Sequence, residues 1–374
     1  MNILNSIVRE KKLDLGQLAA ETEMPPERMQ ELLEGADPSM GELRKLATAL
    51  KVGIADLLPQ AENHKVDILF RNALTHGRTD SATASSLSRK MSYSADLIGS
   101  SGANATWWLP LFKRGGNDLE EAEENARIFR ATFCRDDQLG PLPFLPKLVV
   151  ERMHILLFVV NSPKMDGASA YFEAQPFIFV SLRFKPRMLF TLAHELGHLI
   201  AHHDPRESGV VIDEREHTDL RISKGKIEQY AHAFASSLLM PRASVGLALQ
   251  KIRALSETQE DKAIGDLEIL FLSRIFCVSF EAAAMRCEIL GLIPEGGAFS
   301  LNQFLKQKYG SAEKRAEDAN LPPRPSIEFP SIPEPLLVSA IQKIRAGEIS
   351  IGKASALLGL SISDLISANA QPVN

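Results

Sequence analysis

The run Phe190-Thr191-Leu192-Ala193-His194-Glu195-Leu196-Gly197-His198-Leu199-Ile200-Ala201-His202-His203 is mostly apolar, yet it carries histidines and a glutamate at fixed spacing. On a helix of about 3.6 residues per turn, His194 and His198 share one face and Glu195 is rotated beside them toward the same side. Leu192, Ala193, Leu196, Leu199 and Ile200 call for burial, and buried polar groups need partners. The spacing therefore predicts a largely buried helix whose polar groups converge on something that satisfies them.

Two neutral imidazoles one turn apart reach a single Zn²⁺ at about 2.0–2.1 Å without bending the backbone, leaving room for a third ligand and a water. Such an ion lowers the pKa of that water from about 15.7 to near 7, within range of a neighbouring carboxylate. His194 and His198 are the candidate ligands and Glu195 the candidate base.

A continuation HExxHxxGxxH would need Gly and His where Ala201 and Asp204 stand. Asp204 can still ligate, but it lacks the glycine turn that would bring it in, and a second helix is the better source of a third ligand. His202 lies one turn further along the first helix, and three ligands on one straight helix cannot surround a tetrahedral ion. With His203 it reads as a cap on the helix C-terminus. A second helix is expected over 227–240, with Ala231, Phe234, Ala235, Leu238 and Leu239 at helical spacing and Pro241 as its stop. Glu228 opens that helix on its apolar side. Spacing alone admits both a metal ligand and an ordinary first-turn glutamate favoured by the helix dipole.

FTLAHELGHLIAHH, followed by E-x-x-A-x-x-F-A-x-x-L-L-M-P from Glu228 onward, resembles the ImmA/IrrE family of bacterial metallopeptidases. Upstream, segments 126–130, 148–160 and 176–180 with Gly167 and Arg187 fit the same family. So do Phe276-Cys277-Val278-Ser279, Ala282, Arg286 and Leu290-Gly291-Leu292 downstream, so the resemblance spans roughly 120–295. It implies that His194, His198 and Glu228 hold Zn²⁺ with Glu195 as general base. It also implies cleavage of one dedicated protein partner, such as a transcriptional repressor or an antitoxin-like protein. Tyr230, His217 and His232 are candidate oxyanion donors.

At 374 residues the chain exceeds one usual domain, so two or three modules are expected. A net charge of −5 gives no global nucleic-acid signature, and any DNA contact must be local. Cys134, Cys277 and Cys287 show no paired metal spacing and read as small buried residues in a reducing cytosol. No signal peptide opens the sequence, and no apolar run nears the roughly 20 residues of a membrane span. The expected location is cytoplasmic, with no membrane contact.

Residues 1–60 read as five short helices, at 3–11, 15–22, 26–33, 40–50 and 54–58. Leu18-Ala19, Met29, Leu32-Leu33, Gly35, Leu43, Leu46-Ala47, Leu50, Val52 and Leu57-Leu58 resemble the Cro/phage-repressor helix-turn-helix of the xenobiotic-response-element type. In that family the third helix enters the major groove. Here it carries Glu27, Glu31 and Glu34 against Arg28 and Gln30, and over 1–60 seven Lys and Arg face ten Asp and Glu, a net of −3. Phosphate contacts supply most non-specific affinity, so an acidic reading face is a liability. Arg28, Gln30, Arg44 and Lys45 are the candidate DNA contacts, and docking or homodimerisation is the rival use.

The expected architecture is mostly α with a small β-sheet (α+β). A five-helix helix-turn-helix domain at 1–60 is followed by a connector at 61–118, in which Trp107 and Trp108 are expected in a core. A zincin-like HExxH metallopeptidase core then spans 119–296, a Pro-rich linker region 297–335, and a small helical, helix-turn-helix-like module 336–374. The leading functional reading is a cytoplasmic zinc endopeptidase with a regulatory helix-turn-helix module. The rival is a DNA-binding transcription regulator or antitoxin in which the peptidase fold is a sensor or scaffold.

Overall fold

A computed structural model of the chain describes residues 4, 8, 15–34, 36, 38–50, 57, 81–99, 105–116, 118–206, 209–214, 225–256 and 262–370. Two compact units divide the chain, Met1–Lys65 with Leu337–Asn374, and Val66–Leu336.

In the first unit, α1 (Leu15–Glu21), α2 (Pro26–Glu34) and α3 (Met40–Leu50) bury Leu18, Met29, Leu32, Leu43, Leu46 and Leu50 in one core. A turn with Glu23 at φ 50° separates α1 from α2, and Pro26 suits the first helical position, where no amide donor is needed. Ser39 and Glu42 form a reciprocal cap on α3: Glu42 Oε2 accepts from Ser39 N at 2.7 Å and Ser39 Oγ accepts from Glu42 N at 3.3 Å. The helices expected at 3–11 and 54–58 lie outside the described residues except for Leu4, Val8 and Leu57, which join this core.

In the second unit, α4 (Ser81–Ile98) precedes a 3₁₀ turn at Leu109–Leu111 and α5 (Leu119–Phe133), whose N-cap Asp118 accepts from Glu120 N. Trp108 is fully buried and donates to the Met153 carbonyl at 2.9 Å. Trp107, also expected in a core, is half exposed. After α6 (Leu145–Glu151) come β1 (Leu156–Val160), β2 (Met165–Phe172) and β3 (Gln175–Ser181). With β4 (Gly209–Glu214) they form a four-stranded sheet in the order β1-β3-β2-β4. The β1–β3 pair is parallel, and β2 runs antiparallel to β3 and β4. Alternation along β3 sends Ile178 and Val180 into the main core. Phe179 stacks on Phe158 at 5.4 Å and on Phe177 at 6.3 Å, on the opposite face.

Helix α7 (Lys185–Ala201), begun by Pro186, packs on β2 and β3, and α8 (Lys226–Leu239) packs against both α5 and α7. Two buried arginines satisfy the carbonyls at the end of α8. Arg130 Nε donates to Leu238 O at 2.7 Å, and Arg286 Nε donates to Met240 O at 2.9 Å while its guanidinium pairs with Glu123 at 3.0 Å. A helix end has no internal partners for its last carbonyls, so these contacts fix the position of α8 from its C-terminal end.

Helices α9 (Arg242–Leu255), α10 (Asp266–Ile275) and α11 (Phe280–Ile289) complete this core. The span expected as a linker at 297–335 contains α12 (Gly297–Tyr309) and α13 (Ala312–Asp318). The proline-rich stretch after them lies along the core through buried Ile327. Arg324 there grips Glu313 at 2.6 and 2.8 Å and donates to Val278 O at 3.3 Å. The C-terminal helices are α14 (Glu334–Arg345), α15 (Ile351–Leu358) and α16 (Ile362–Ala370). Gly359 in the left-handed region ends α15. No described helix is long and apolar enough to cross a membrane.

Candidate metal centre

Helical spacing on α7 brings the rings of His194 and His198 to 4.8 Å, with their Nε2 atoms 3.1 Å apart. The first turn of α8 brings Glu228 to the same point: Oε2 lies 3.3 Å from His194 Nε2 and Oε1 lies 3.4 Å from His198 Nε2. Gly197 faces α8, where an added Cβ would sit 3.1 Å from Phe234 and 3.3 Å from the Ala231 Cα. Its small size lets the two helices close in.

Two ligands of a tetrahedral ion at about 2.0–2.1 Å from the metal are about 3.3 Å apart; the imidazoles stand 3.1 Å apart, and each lies 3.3 or 3.4 Å from a different oxygen of Glu228. His₂Glu is also a donor set that suits zinc. These residues fit a divalent cation. Burial holds the His198 imidazole well below its ordinary pKa, with His194, His202 and His203 adding to the effect. The neutral form, the one that can ligate, is favoured.

Glu195 is fully buried on α7 and lies against β2 at Gly167. A Cβ at position 167 would stand 2.5 Å from Glu195 Oε1 and 2.7 Å from Thr191 Cγ2, so the strand admits the carboxylate only because a glycine is there. Gly167→Ala is expected to cost about 1–3 kcal/mol of stability from overpacking. It should also displace the Glu195 carboxylate. Metal content should be unchanged. Thermal melting, a crystal structure of the variant and metal analysis check the three parts.

The side chains of His202 and His203, expected to cap the helix C-terminus, bond elsewhere. His202 and His203 donate their backbone amides to His198 O, but their rings turn inward. His202 Nδ1 is 2.9 Å from His198 Nδ1, and its Nε2 is 2.8 Å from Gly116 O. His203 is buried with Nε2 3.2 Å from Ser169 Oγ, and Arg114 donates to its carbonyl. The signal for His202 was its i+4 offset from His198.

Burial lowers the His203 pKa to about 3, against about 6.5 in an unfolded chain. Between those values the unfolded state binds a proton that the folded state does not, so stability rises with pH. As pH falls from about 6.5 toward 3, this one group should remove on the order of 1 kcal/mol per pH unit. Unfolding by denaturant across that range should show the slope, and His203→Gln should make it shallower.

Among the expected oxyanion donors, the Tyr230 hydroxyl is buried and accepts from Asn125 Nδ2 at 2.6 Å, and burial pushes its pKa up to about 12. The His232 ring lies 6.0 Å from that of His194 and edge-on to Phe190 at 4.9 Å. His217 lies outside the described residues. Asp204 is turned to the Arg206 amide at 3.0 Å.

In the first unit, the candidate DNA contacts meet glutamates. Arg28 pairs with Glu42 at 2.8 Å and with Glu31 at 2.9 Å, and Gln30 donates to Glu34 at 3.1 Å. Lys45 lies 3.4 Å from Glu23. The Arg28 hydrogen bond holds the Glu42 carboxyl down at about 2. Arg44 is exposed on α3.

Residues 150–288, which include both donor helices, match the family described as the IrrE N-terminal-like domain of peptidase M78. Residues 4–59 match the Cro/C1-type HTH DNA-binding domain. No curated protein matches the chain. One chain thus carries a segment similar to the Cro/C1-type helix-turn-helix domain and, after it, a segment similar to the IrrE N-terminal-like domain of peptidase M78.

Proposed function

We propose that the segment 119–296 is a zinc-dependent endopeptidase that cleaves one dedicated protein partner, such as a transcriptional repressor or antitoxin-like protein, under control of the helix-turn-helix module at 1–60. The observation that carries this reading is the convergence of His194, His198 and Glu228, with Glu195 one position along the same helix from the first ligand. When bound, a divalent cation supplies Lewis acidity and makes water acidic enough to lose a proton near pH 7. His194, His198 and Glu228 hold the cation. Glu195 takes a proton from the attacking water as its oxygen bonds to the scissile carbonyl carbon, and returns it to the amide nitrogen as the C–N bond breaks. The Gly167 gap keeps the Glu195 carboxylate in place. His232, beside His194, is assigned to steady the charge that builds on the carbonyl oxygen.

The test is to express the chain and its Glu195→Gln form in the source cells and sequence newly formed protein N-termini. One cleavage present only with Glu195 supports the proposal, and identical N-termini in both would overturn it.

The match of 4–59 to a DNA-binding domain favours a second reading, a DNA-binding regulator. The glutamate partners of Arg28, Gln30 and Lys45 weigh against it. Retention on duplex DNA that falls steeply with salt would support this second reading.

A further inference from the structure

His198 aims Nε2 at the donor cluster and turns Nδ1 toward His202 Nδ1, 2.9 Å away. His202 in turn sets Nε2 2.8 Å from the carbonyl oxygen of Gly116. A carbonyl only accepts, so the single proton of neutral His202 sits on Nε2 and its Nδ1 is an acceptor. The hydrogen between the two rings must then be carried by His198 Nδ1, which leaves the His198 Nε2 lone pair pointing at His194 and Glu228. This assignment follows from the bonding partners.

We propose that His202 is a positioning residue: anchored by the Gly116 carbonyl, it holds His198 in the Nδ1–H tautomer so that Nε2 is ready to ligate. The proposal rests on the metal-centre reading above. Such outer partners orient a ligand and raise its basicity.

The anchor is itself built into the fold. Gly115 N donates to Ala201 O at the end of α7 at 3.3 Å. Lys113 is bonded both ways to Asn125, N to Oδ1 at 3.0 Å and O from Nδ2 at 2.9 Å. Gly116 has φ +43°, and an added Cβ would fall 2.4 Å from His202 Nε2 and 2.7 Å from the Ala201 Cβ. Only glycine brings that carbonyl so close. Residues 113–116 lie before the 150–288 match, so the anchor comes from the segment that leads into the peptidase domain.

The experiment uses the full chain with ¹⁵N-labelled histidine. Zinc affinity is measured by competition with a chromogenic chelator for the parent, His202→Phe, His202→Gln and Gly116→Ala, and melting in chelator checks that each folds. His202→Phe should bind zinc about 10–100-fold more weakly, and Gly116→Ala should shift the same way. His202→Gln, whose amide can accept from His198 and donate to Gly116, should stay close to the parent. In the metal-free parent, ¹⁵N shifts should show His198 protonated at Nδ1. Equal affinity of the Phe and parent proteins, or a His198 Nε2–H tautomer in the metal-free parent, would overturn the proposal. If the Phe variant does not fold, the tautomer and Gly116→Ala decide. A parent that binds no zinc would instead overturn the metal-centre reading, while the tautomer still reports on the relay.

Discussion

Glu195→Gln should lower peptide hydrolysis by about 10²–10⁴-fold, the usual contribution of a positioned general base, and leave metal binding intact. That corresponds to about 3–5 kcal/mol of transition-state stabilisation. Gln keeps the size of Glu, so the gap opposite Gly167 remains filled, but it cannot take a proton. His194, His198 and Glu228 still form the donor set. Steady-state kinetics on whichever protein the N-terminal sequencing identifies as a substrate, paired with metal analysis, separates the two effects. Undiminished turnover would remove Glu195 from the mechanism.

Zinc should stabilise the parent chain and should fail to stabilise His198→Ala or Glu228→Ala. A ligand that binds only the folded state adds about 2.7 kcal/mol when present at about 100 times its Kd. For a unit of this size that is on the order of 5–10 °C in melting temperature. His198 is fully buried between His194 and His202, so truncating it removes a donor and leaves a void beside the other two. Glu228 is only partly buried, and its truncation tests ligation with less damage to packing. Melting curves with zinc and with chelator give the comparison. An equal zinc-induced rise in all three proteins would place the metal elsewhere.

The approach of His194 to His198 was readable from the sequence, because an i,i+4 offset on a helix fixes both direction and distance. Glu228 was not settled by spacing, since a first-turn glutamate also suits the helix dipole. Only the crossing of α7 and α8 decides that its carboxylate turns to the imidazoles. Strands β2 and β4 gave little signal: β2 reads Met-Asp-Gly-Ala-Ser-Ala-Tyr-Phe, small residues with no clean alternation, although all but Asp166 are buried.

Proline content marked 297–335 as a linker region but could not tell a free linker from a strap. Buried Ile327 and the grip of Arg324 on Glu313 make it the latter. The support for His202 was hidden for a related reason. Its partner Gly116 is 86 positions away, and nothing local to either residue announces the contact. The glutamates on α2, by contrast, were visible as a weakness in the reading face, and in the fold they pair with Arg28 and Gln30.

The most direct test is anomalous diffraction at the zinc edge from crystals of the full chain grown with equimolar zinc. One peak within about 2.0–2.2 Å of His194 Nε2, His198 Nε2 and a Glu228 carboxylate oxygen is the predicted result. A map with no peak at that point, and the three side chains turned apart, would contradict it.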